Sequence, residues 1–200
     1  MRKATKTVAT WLGIAAGIAG LEHGYYEILQ GNTRPPGIMI VSMGPPCAPE
    51  EIWNACEPAM TIIPNYLVTG ILAMLLGLAM IIWSVAFIQR DHGGLVLILL
   101  SIGLLLFGGG LFPPLIGIIG GAAGTVINMP ITREPGNVAR LTAKLWPWPL
   151  VILMTWLLGQ FLVGYFFNDF LTSIMAWGLL LILTMLPLSV YTGYAHDAVG

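Results

Sequence analysis

The chain has 200 residues, 57% of them hydrophobic and only 8% charged, and its mean hydropathy is +0.86. A soluble domain usually carries about 25% charged and 45–50% apolar residues, so this composition excludes a disordered chain, a coiled coil and an ordinary water-soluble enzyme. A formal net charge of −1 with no basic stretch also excludes a nucleic-acid binder. What remains is an all-α, polytopic integral membrane helix bundle whose first partner is the lipid bilayer.

In chain order, the first apolar run covers residues 7–29 and follows Arg2, Lys3 and Lys6. Basic residues before an apolar, small-residue stretch also describe a signal peptide; the run is read here as a retained membrane helix. An outer loop, 31–60, holds Arg34 and three glutamates, with seven prolines between Pro35 and Pro64. A second helix is expected at 61–88 and a third at 95–112. The third ends at a break made by Gly108, Gly109, Gly110, Pro113 and Pro114, because proline lacks an N–H and glycine is a weak helix former. A shorter glycine-rich helix or re-entrant segment follows at 115–128. After a basic loop, 129–147, come helices at 149–167 and 171–194. Each long run meets the roughly 20 apolar residues that a crossing needs. The expectation is five long helices plus one short segment in a single domain.

Lysine and arginine placement sets topology. Arg2, Lys3 and Lys6 put the N-terminus inside, and Arg90 marks an inner turn. Arg133, Arg140 and Lys144 put the loop 129–147 inside as well. That requires an even number of crossings between residues 95 and 128, which favours six segments with both termini inside a plasma or inner membrane. Five crossings would place the basic loop outside. Trp11, Trp83, Trp146, Trp148, Tyr191 and Tyr194 would form an inner aromatic belt, and Tyr25, Tyr26, Tyr66 and Tyr165 an outer one.

Gly13 and Gly17, Gly20 and Gly24, Gly117 and Gly121, and Gly120 and Gly124 are each four apart. Small residues at this spacing let helix backbones approach closely in lipid. The first helix is expected to pack on the 115–128 segment. The same stripes also offer a surface to a membrane-protein partner or a second copy. Cys47 and Cys56 both fall in the outer loop, where an oxidising compartment permits a structural disulfide. Their spacing lacks the compactness of a C-x-x-C redox pair.

Most charges mark the ends of apolar runs, but Glu22 lies inside the first one with His23 beside it. At about 1.5 Å per residue, Glu22 sits roughly 22 Å up the helix from Thr7. Glu27 is a further turn outward, near the interface. A carboxylate at depth costs about 2.5–3.5 kcal/mol on insertion scales, so it usually faces the bundle interior or is paired. His23 and Glu27 are four apart, as are Glu22 and Tyr26, so each pair shares a helix face. Such groups relay protons, ligate a divalent metal, act as an acid/base pair on a lipid-like substrate, or hold a cation beside Tyr25 and Tyr26. Asn65 and Thr69 on the second helix, and Asn168, Asp169, Thr172 and Ser173 near the last turn, would close an outward pocket; Gln160 and Thr155 would extend a polar path inward.

Other chemistry is weakly represented. His92 and His196 lie in turn-like or terminal segments ill suited to haem. There is no phosphate loop, Ser–His–Asp order or zincin motif. No cofactor is implied and no metal site is assigned. The candidate ligand- or proton-binding residues are Glu22, His23, Tyr26, Glu27 and Asn65. The leading expectation is a small membrane protein that binds or moves a small ligand or proton. A non-catalytic subunit of a larger membrane complex and an intramembrane enzyme are the alternatives.

Overall fold

The computed structural model describes residues 1–41, 52–54, 56–131 and 134–200. Among these, seven α-helices carry the fold: α1 (Lys3–Leu29), α2 (Tyr66–Ala86), α3 (Gly93–Leu106), α4 (Phe112–Thr125), α5 (Asn137–Thr142), α6 (Trp148–Phe166) and α7 (Asn168–Val199). Four of them, α1, α2, α6 and α7, are long and apolar enough to cross a membrane. Two short strands, β1 (Met39–Val41) and β2 (Pro58–Met60), pair antiparallel with Ile40 opposite Ala59.

Several boundaries differ from expectation, each for a local reason. The helix expected at 61–88 starts at Tyr66, because Asn65 accepts a hydrogen bond from the Val68 N–H as an N-cap. Upstream, Thr61 forms an isolated bridge with Phe107 instead. The helix expected at 95–112 ends at Leu106, where Gly108 and Gly110 take positive φ, a conformation that favours glycine. The expected five long helices are therefore four long ones, two apolar helices of 14 residues and the short α5 in the basic loop. That loop's Arg133 lies outside the described residues. The outermost helices run further than expected because they dock on each other. Asp197 of α7 accepts hydrogen bonds from the N–H groups of Ala4 and Thr5 at 3.0 and 2.7 Å. A carboxylate there satisfies the orphan donors at the start of α1 and complements its dipole.

The central element is α1, which packs against α2, α3, α4, α6 and α7. Its contact with α2 is glycine on glycine. A Cβ on Gly17 would lie 2.6 Å from the Gly77 carbonyl oxygen, and one on Gly24 would lie 2.6 Å from that of Gly70. One heptad lower, the Thr10 hydroxyl donates to the Ser84 carbonyl oxygen at 3.2 Å. The contact expected between α1 and the 115–128 segment is also present, with Gly120 of α4 against Ala9 and Leu12. All four expected glycine pairs face neighbours within the chain.

Helices α3 and α4 form an antiparallel hairpin. Gly94 at the start of α3 abuts Gly121 and Thr125 of α4, and Gly117 abuts Ser101. Fourteen residues make a helix about 21 Å long, short of the ~30 Å hydrocarbon core of a bilayer. The chain termini lie together at the open end of this hairpin: the Arg2 N–H donates to the Ile127 carbonyl oxygen at 2.9 Å. Its closed tip lies beside the far half of α1.

Candidate functional site

The far half of α1 presents His23 and Glu27 on one face, four residues apart, to the tip of the α3–α4 hairpin. A Cβ on Gly110 would come within 2.6 Å of His23 Nε2, and one on Gly108 would run into the Glu27 carboxyl. Glycine at these two positions lets bare backbone lie against a histidine and a carboxyl. Irregular backbone inside a helix bundle is tolerated where its polar groups find partners in the protein. Here Gly108 donates its N–H to the Met60 carbonyl oxygen at 2.8 Å, and Ile62 donates to that of Leu106 at 3.0 Å.

The neighbouring face of α1 meets Asn54 and Glu57. Asn54 donates from Nδ2 to Glu22 Oε1 at 2.8 Å. Glu57 Oε2 stands 3.2 Å from His23 Nε2. Trp53 lies directly on the Gly164 backbone of α6 and meets Phe161 edge to face at 6.1 Å. Three anchors thus hold this short segment over the bundle, each on a different side chain of α1 or α6. Beneath it is a cavity of about 180 Å³ that reaches from Glu22 and His23 to Phe112, Gln160 and Ile182. Its walls come from α1, α4, α6, α7 and the segment itself. Polar groups occupy the upper wall; Ile116, Leu157, Met175 and Leu179 make the lower part apolar.

No protein family, curated protein or solved structure matches the chain. The reading of the site therefore rests on its own chemistry. Among the described residues no three His, Cys, Asp or Glu side chains are grouped closely enough to hold a metal ion.

Of the residues singled out from sequence, Glu22 and His23 line this cavity together. Glu27 does not line it. It is fully buried, with the Gly108 backbone of the hairpin tip against its carboxyl, and among the described residues neither carboxyl oxygen has a hydrogen-bond partner. Tyr26 is half-buried and packs edge to face on Tyr25 at 5.5 Å, away from the cavity. Asn65 caps α2 and bonds to Asn32 at an exposed corner, so it also leaves the pocket. Thr69 is buried and shares a 2.7 Å hydrogen bond with Thr61. Gln160 does reach the cavity, whereas Thr155 lines grooves on the outside of α6. Asn168, Asp169, Thr172 and Ser173 are not in its wall. Cys47 lies outside the described residues, and with it the expected pairing to Cys56.

Trp53, Asn54 and Glu57 were not expected at the site. Their signal was present: one tryptophan, one amide and one acid flank Cys56 in a loop otherwise rich in proline. In sequence, Glu57 looked like a boundary charge.

Proposed function

We propose that this is a multi-pass membrane protein of the plasma or inner membrane whose cavity binds, or passes across the bilayer, a small ligand or a proton. The observation that carries the reading is the cavity itself. It joins Glu22, His23, Asn54 and Glu57 under a segment anchored at three points, in a chain with very few charges. Ionisable groups at depth in an apolar bundle mark ligand or ion pathways more often than packing. Six apolar helices in alternating direction, with the termini on one end, support the six-segment topology. The lysines and arginines described near that end, including Arg2, Lys3, Lys6, Arg90 and Lys144, support its placement inside. In this topology Trp53, Asn54 and Glu57 cap the outer face, and a Cys47–Cys56 disulfide would fix that cap to the loop before it.

The test is flux in proteoliposomes loaded with a pH-sensitive dye. Wild-type protein is expected to move protons or a protonated solute in response to a pH gradient, and Glu22→Gln to abolish this without lowering the thermal midpoint. A wild-type protein that shows no flux and purifies in fixed ratio with another membrane protein would replace this reading with that of a complex subunit.

A further inference from the structure

Resting on the reading that the cavity holds a ligand, we infer that its occupant is a small organic cation: an ammonium group on an apolar body about the size of one aromatic ring. The polar wall is rich in acceptor oxygens, from Glu22, Asn54, Glu57 and Gln160, beside one histidine, His23. Glu22 and Glu57 bring two carboxylates, and no lysine or arginine is among the described residues of the wall. The sharper observation is Asn54. It is 2% exposed, and its Nδ2 is committed to Glu22. With Nδ2 turned to Glu22, its Oδ1 is a buried acceptor with no partner among the described residues. An unpaired buried acceptor costs about 1–3 kcal/mol, and a ligand N–H in the cavity would recover it.

Each competing class of occupant fits less well. An anion would meet two carboxylates and an amide oxygen, and the one histidine in the wall, His23, already faces Glu57 at 3.2 Å. A neutral apolar guest would leave Asn54 Oδ1 unpaired. A divalent metal lacks a third ligand among the described residues. An ammonium group supplies N–H donors to Asn54 and a counter-charge to Glu22 and Glu57. The rest of the cavity suits an apolar body. Trp53, Phe161 and Phe112 offer aromatic faces and edges, and cations are attracted to such faces. A cavity of about 150 Å³ is enough for benzene, so the 180 Å³ here holds one ring and a short ammonium arm.

The experiment measures equilibrium binding of three probes of nearly one shape to the full chain in detergent: benzylammonium, benzyl alcohol and benzoate. Benzylammonium is expected to bind saturably and at least about tenfold more tightly than benzyl alcohol, as one charge-assisted hydrogen bond allows. Benzoate is expected not to bind. Glu22→Gln and Glu57→Gln should each weaken benzylammonium by about tenfold. Glu57 is partly exposed, so its variant remains informative if Glu22→Gln fails to fold. Equal binding of benzyl alcohol, preferred binding of benzoate, or binding unchanged in both variants would overturn the cation assignment and leave the ligand-site reading standing. Failure of benzylammonium to bind overturns the assignment too. The ligand-site reading falls separately, if the wild type shows no flux and purifies in fixed ratio with another membrane protein.

Discussion

The α1–α4 unit and the α6–α7 pair lie side by side but are packed by different rules. In the first, backbones touch: Gly17 meets Gly77, Gly24 meets Gly70, and Gly94 meets Gly121. In the second, large side chains keep the helices apart, and contact is made by a ring laid on a glycine, as with Trp156 on Gly178. The apolar window of α1 is 56% buried and that of α7 only 17%. Close backbone contact gives a rigid frame, because no side-chain rotamer can relax it. The looser pair leaves room, and the cavity lies where the two regions meet, with one wall from each. Carboxylates sit on the frame, at Glu22, while the α6–α7 side supplies Phe161, Gln160 and a cushion for Trp53.

This contrast is most strongly tested at the glycines. Gly17→Leu or Gly77→Leu should cost about 3 kcal/mol or more, seen as loss of monodisperse protein in detergent. Gly159 of α6 has open space where its Cβ would be, so Gly159→Ala should raise stability by up to about 1 kcal/mol through helix propensity. Equal losses at Gly17 and Gly159 would erase the distinction. Next in size is Gly108→Ala. Its positive φ and the Glu27 carboxyl beneath it predict a loss of about 1–3 kcal/mol in chemical unfolding.

Glu27 sharpens the comparison within the frame itself. A buried carboxyl without partners is a stability cost, so Glu27→Met should raise the unfolding free energy by about 1 kcal/mol. A marked fall instead would show that the carboxyl holds the hairpin tip in place. The smallest effect is expected where the two regions are tied at their far end. Asp197→Ala removes the cap on Ala4 and Thr5 and should lower stability by about 1 kcal/mol, measured as a shifted thermal midpoint.

Composition and the length of the apolar runs made the helical architecture legible, and the break at Gly108 to Pro114 located the hairpin. Less was legible about who faces whom. Glycines spaced by four looked like two equivalent stripes on α1. The structure instead sets Gly13, Gly17 and Gly24 against α2, with Gly13 also meeting Leu97 of α3, and turns Gly20 towards Leu104. One helix gives no sign of which of its faces a second helix will take. The site shows the same limit. Glu22 and His23 stood out because they interrupt an apolar run. Asn54 and Glu57 lie in a loop where polar residues are ordinary, and only the fold brings them to α1. The burial of Glu27 was not legible, because it comes from a hairpin tip some eighty residues later.

The central claim is that the cavity under Trp53, Asn54 and Glu57 is a ligand site. Native mass spectrometry of the full chain, extracted from its own membrane in mild detergent, tests it most directly when wild type is set against Ala19→Leu. Ala19 lines the cavity, and leucine there would fill it. The account predicts a small non-covalent adduct on the wild type that is missing from Ala19→Leu at unchanged thermal midpoint. An adduct-free wild type held in fixed ratio to another polypeptide would contradict it.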